Sequence, residues 1–347
     1  STSGVAAFYW SGSQNAVWNT SNAGPVTNWN TDATSGVNSG LIPTSGTDVY
    51  FTTSTPVATN LTNTLGADTS IYSLNFTAAS GPVVIGAGNN LTLGVGGLTN
   101  LSGSNQTINA PIVLGGNQTW TNSSAGTTLT IGGIISGAFA LAKTGTGTLT
   151  LSGANTYTGA TSITGGTLKL SGAGTLGTGS VSVNSGALLD LNGTNQQLKF
   201  AAGTGAGTVA NNSGSGISIL TLSNSPGGTI LIQDSTANPG GKVAVVVTVS
   251  TQSLNNSNSY SGGTTVNAGA FLYLNSPLGG GAGTGPISLT TATTGLGTGS
   301  GLVVDGNTYA NDITGAGYVH NNSTGVSTTV FTGNLTTSGP FIFRAGT

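Results

Sequence analysis

The chain has 347 residues, of which 3% are charged, with a formal net charge of −2 and no cysteine. So few basic side chains, in no cluster, exclude nucleic acid and disfavour anionic membrane surfaces, both of which need several Lys or Arg. There is no disulfide framework. With 36% hydrophobic residues the chain folds rather than staying disordered, and its surface is solvated by hydroxyls and amides instead of charge.

Residues 1–70 form a first region with its own texture, an aromatic-rich cap and first coils. Three of the four tryptophans (Trp10, Trp18 and Trp29) fall here, with Phe8, Tyr9, Tyr50 and Phe51. The end of a repeating β structure exposes a cross-section of its core and an unpaired strand edge, so a cluster of large aromatics is the expected plug. A sugar-stacking platform is the alternative. Residues 71–347 form the second region. Its short alternating strands (Ile71 to Leu74, Val83 to Ile85, Leu91 to Leu93, Ile112 to Leu114, Leu129 to Ile131) are separated by Gly and Asn turns. No glycine-free stretch carries helical periodicity. The longest apolar run, Val243 to Val249, is too short to span a bilayer.

The densest pattern is Lys143 to Leu191, with strands at Thr148 to Leu151, Thr167 to Leu170, Ser180 to Val183 and Leu188 to Leu191. Residues 257–274 echo it: Tyr157, Gly159, Thr161, Ile163 and Gly166 return as Tyr260, Gly262, Thr264, Val266 and Gly269. Repeated one-strand units predict a solenoid, in which each coil buries its apolar face by stacking on its neighbours. Leu149, Leu151, Ile163, Leu168, Leu170, Val181, Val183 and Leu189 are the expected inward positions. The stretch KTGTGTLTLSGANTYTGATSITGGTLKL resembles the autotransporter-associated β-strand repeat of bacterial passenger proteins. The likeness is close over 143–191 and partial over 257–274. It implies an all-β, right-handed parallel β-helix outside the cell, and no chemical activity. Members often open on W-x-G, then N-W, then P-x-x-G-x-D-x-V-x-F, which here reads Trp10-Ser11-Gly12, Asn28-Trp29 and Pro43 to Phe51. The start at Ser1 and the lack of methionine suggest a secreted product whose signal peptide has been removed.

Chemistry is sparse. Seven aspartates are scattered along the chain, and only Asp305, Asp312 and His320 fall within one or two coils of each other. Each is expected to sit alone at a turn, bonding backbone. No G-x-S-x-G elbow occurs, and the G-x-G-x-x-G match at Gly172 to Gly177 lacks a following helix. No catalytic, metal or cofactor site is read. Asn155, Asn184 and Asn258 recur at turns, where stacked amides could form ladders along the solenoid. Thr144, Thr146, Thr148 and Thr150 could form similar ladders. A flat threonine array could also bind ice, but that needs T-x-T in successive coils, and the spacing in the sequence is irregular.

The C-terminal strands Val330 to Thr332 and Phe341 to Phe343 run to Thr347 without a recognisable cap or a membrane barrel. The expectation is a non-enzymatic extracellular stalk, sheath or filament subunit that self-associates head to tail. Phe8, Tyr9, Trp10, Trp18 and Trp29 at one end would meet Phe341, Ile342 and Phe343 at the other. The rival readings are a surface adhesin passenger that binds glycans and, more remotely, a polysaccharide-active enzyme.

Overall fold

The computed structural model describes residues 6–20, 26–34, 36–52, 59–77, 81–201, 205–223, 229–235, 240–274, 281–291, 299–322 and 329–343. The sequence reading of Arg344 to Thr347 falls outside them, as does the side chain of Phe343. Every regular element among the described residues is a β-strand. The chain divides into two units, Ser1–Gly179 and Ser180–Thr347.

The first unit is a β-solenoid in which each turn lays its strands in parallel on the turn before. One sheet stacks Ala6–Trp10, Thr47–Phe51, Thr69–Phe76 and Leu91–Asn100. The last of these long strands then hands over to two short ones per turn. Leu91 to Leu93 pair with Ile112–Leu114, and Leu98 to Asn100 pair with Gln118–Asn122. Only Trp29–Asn30 runs antiparallel, against Ala6–Trp10, among the named strands described. A second sheet stacks Thr62–Asn63, Val84–Ile85, Gln106–Ile108, Thr128–Ile131, Thr148–Leu151 and Thr167–Leu170.

Alternation decides which side chains point inward. Leu129, Leu149 and Leu168 occupy one register column, and Ile108, Ile131, Leu151 and Leu170 the next. All are buried. Each buried Leu or Ile contributes roughly 1.5–3 kcal/mol, and the contribution recurs at every turn because the columns stay in register.

The second unit repeats the architecture. Leu188–Asp190, Thr208–Asn211 and Leu231–Asp234 form one sheet. Gln196–Phe200, Ile217–Ser223 and the long Lys242–Leu254 form another. Lys242–Leu254 then feeds two stacks, one through Thr264–Val266, Ile287–Leu289, Ile313–Gly315 and Leu335–Thr337. The other runs through Ala270–Leu274, Gly301–Val304, Tyr318–Asn321 and Phe341–Phe343. All eight side chains expected to face inward are buried.

Turn length varies, and polar side chains absorb the variation. An Asp or Asn at one end of a strand accepts the backbone N–H of a residue one turn later. Asp68 receives Asn90 N–H 22 residues on, Asn105 receives Thr128 N–H at 23, and Asp234 receives Ser261 N–H at 27. These Asx contacts pair amides that the corners would otherwise leave without a ladder partner.

Candidate functional site

The repeat seen in the sequence is the best-defined polar constellation in the molecule. Asn155 is buried, and its Oδ1 accepts the N–H of Ile135 at 2.8 Å while its Nδ2 donates to the carbonyl of Thr175 at 2.7 Å. One side chain thus ties three successive turns. Asn258 does the same in the second unit, accepting from Ile232 N–H at 2.7 Å and donating to Gly281 O at 2.7 Å. Two residues on, Tyr157 shares a 2.7 Å hydrogen bond with the Thr161 hydroxyl, and Tyr260 an equal one with Thr264. Both phenols are buried, and burial pushes their pKa values up. The intervening glycine is a steric requirement. A Cβ on Gly159 would lie 2.2 Å from the Phe139 carbonyl, and one on Gly262 2.5 Å from the Val243 oxygen. The motif Asn-x-Tyr-x-Gly-x-Thr therefore binds turn to turn and presents nothing to a ligand.

This corrects the expected amide ladder. Asn155 and Asn258 bond backbone in the turns above and below rather than one another, and Asn184 is an exposed turn residue. A direct amide pair forms elsewhere, where buried Asn100 donates to Asn122 at 3.0 Å.

Sequence reasoning missed Lys143. Its stem is fully buried, and its Nζ donates to the carbonyls of Thr144, Gly145 and Gly165 at 2.9–3.0 Å. The ammonium satisfies carbonyls at one corner and at the same corner a turn later. Burial pushes its pKa down to about 8. The available signal was the lone basic residue opening the K-T-G of the repeat, at an inward position of its strand.

Six of the seven aspartates are spent on structure, and Asp305 is half-exposed directly after the Gly301–Val304 strand. Asp32, Asp68, Asp190, Asp234 and Asp312 accept backbone N–H groups, and Asp48 accepts the Ser73 hydroxyl. Asp312 is exposed and caps Asn334, whereas His320 is half-exposed on another strand between Val303 and Ile342. Among the described residues no three His or carboxylate side chains converge on a point that could hold a metal ion.

The N-terminal tryptophans pack into a buried cluster. Trp29 meets Trp10 edge-on at 4.9 Å and Trp18 at 5.1 Å, and the Phe51 ring lies beside Trp10 and Trp18. Every indole N–H is satisfied: Trp10 by Thr59 O, Trp18 by Asn63 Oδ1, and Trp29 by Trp18 O. Phe8 is buried with them, whereas Tyr9 and Tyr50 are partly exposed and stack on each other at 5.0 Å. The fully buried indoles offer no face to a sugar ring. In the second unit Phe341 and Ile342 are half-buried, with Phe341 edge-on to Phe331 at 5.6 Å.

Comparison with known proteins agrees with the motif. Residues 141–170 and 250–271 match the passenger-associated-transport-repeat family. A stretch of 122 residues is 38% identical to the adhesin BmaC autotransporter of Brucella suis biovar 1 (strain 1330). It covers 35% of this chain and 4% of that relative, so the chain spans a small part of the protein it resembles. No solved structure matches.

Proposed function

We infer that this chain, which carries passenger-type repeats of autotransporter-associated proteins, is a segment of a surface adhesin passenger. In this reading it is a non-enzymatic β-solenoid on the outside of a bacterial cell that holds binding regions away from the membrane. The observation that carries it is the fate of the polar side chains. Asn, Asp, Tyr and Lys groups that could do chemistry are used to tie one turn to the next, as a load-bearing spacer requires and a catalyst does not. The partial likeness to an adhesin autotransporter supplies the surface setting.

The test displays the chain on a non-adherent laboratory bacterium, between a secretion signal and an autotransporter barrel. Antibody labelling of intact cells and increased attachment to mammalian cells or matrix-coated plates are expected. Failure to reach the surface, or release of reducing sugars from polysaccharides by the purified chain, would reject the reading. Head-to-tail self-assembly is a second reading. It would use Phe341 and Ile342, the half-exposed pair on the Phe341–Phe343 strand, because the buried indoles have no surface to give.

A further inference from the structure

Irregular sequence spacing conceals a regular surface in the first unit. Thr107, Thr130 and Thr150 are direct partners along one outward column of the second sheet. Thr128, Thr148 and Thr167 form the neighbouring column. Thr128-Leu129-Thr130 thus stacks on Thr148-Leu149-Thr150 with the leucines inward. This overturns the sequence-level objection to a threonine array: turns of different length have their surplus taken up at the corners, and the strands stay in register. The grid repeats at about 4.8 Å between strands and about 6.6 Å along them.

These hydroxyls differ from those on the other sheet. There Thr121 and Thr144 bond each other at 2.7 Å, and Thr164 donates to the Lys143 carbonyl. Among the described residues none of the six grid hydroxyls bonds a protein group, and all six side chains are half-exposed. The grid is uncharged. Val84 lies beside Thr107 at one end, and Lys169 partners Thr150 at the other.

We propose that this threonine face binds ice. A hydroxyl both donates and accepts, so a rigid array of them holds waters in a fixed two-dimensional pattern, while the adjacent methyls exclude disordered water. A neutral periodic target suits a face without charge. A polysaccharide fits less well, because stacking on sugar rings needs aromatic faces and no outward position of these columns carries one. The proposal rests on this geometry and does not depend on the adhesin reading.

The experiment grows single ice crystals in the presence of the full 347-residue chain and follows their shape and any gap between melting and freezing. Faceted crystals and inhibited recrystallisation are expected. Thr130→Lys and Thr150→Lys, made separately, should abolish both effects, while Thr121→Lys on the other sheet keeps them. Circular dichroism and melting temperature establish that each variant is folded. Round, unshaped crystals with the parent chain, or activity retained in Thr130→Lys, would overturn the proposal. Retention on microcrystalline cellulose or chitin without any effect on ice would overturn it in favour of a glycan.

Discussion

Tyr157 and Thr161 hold each other through a 2.7 Å hydroxyl–hydroxyl bond inside the first unit, and Tyr260 and Thr264 repeat it at the same distance in the second. Removing Tyr157 Oη strands the buried Thr161 hydroxyl, and removing the Thr161 hydroxyl leaves Tyr157 only its Gly177 backbone partner, whereas removing both leaves an apolar contact of similar shape. Tyr157→Phe and Thr161→Val should each cost roughly 1–3 kcal/mol. The double variant should cost less than their sum. Urea midpoints of the four proteins measure the coupling, and strict additivity would mean that the bond is not formed.

Asn155 ties backbone in two neighbouring turns, so Asn155→Leu leaves an N–H and a carbonyl without partners. A loss of roughly 2–4 kcal/mol is expected, and Asn258→Leu should behave alike. Exposed Asn184 provides the control, and Asn184→Ser should melt with the parent.

Lys143 predicts an unusual alkaline response. Its folded pKa is pushed down to about 8 from the ordinary 10.5, so between these values the unfolded chain holds more protons. Stability then rises with pH from about 8 upward. The buried tyrosines act oppositely. Their raised folded pKa values make stability fall once unfolded phenols ionise near 10, so the window for Lys143 is pH 8 to 9.5. Denaturant midpoints should climb across that window in the parent and stay flat in Lys143→Met. A flat parent profile would mean that the ammonium is better solvated than its burial implies.

Leu168 is buried in the column with Leu129 and Leu149, whereas Lys169 beside it faces outward. Leu168→Asp should cost several kcal/mol by burying an unpaired carboxylate. Lys169→Asp should change stability little. Thermal melts of the pair test the register directly, and equal melting temperatures would show it to be wrong.

The sequence alone determined the class of fold and the inward face. Gly-punctuated alternation over short strands gave an all-β chain, and the internal repeat and its resemblance to passenger repeats pointed to stacked coils. Period two places Leu149, Leu151, Leu168 and Leu170 in the core because adjacent side chains point to opposite faces. The repeat at Tyr157 and Tyr260 was legible for the same reason. What the polar residues do was settled only by the tertiary structure. Whether an Asn meets another Asn, a carbonyl or water depends on which residues lie one turn away, and the varying turn lengths hide that distance from the chain. Thus Asn155 proved a tie between backbones, Lys143 a corner donor, and five of the aspartates (Asp32, Asp68, Asp190, Asp234 and Asp312) acceptors of backbone amides. Trp10, Trp18 and Trp29 read as aromatic from composition, but only packing put their indoles inside. The threonine grid is the clearest case, because strand register restores a regularity that linear spacing lacks.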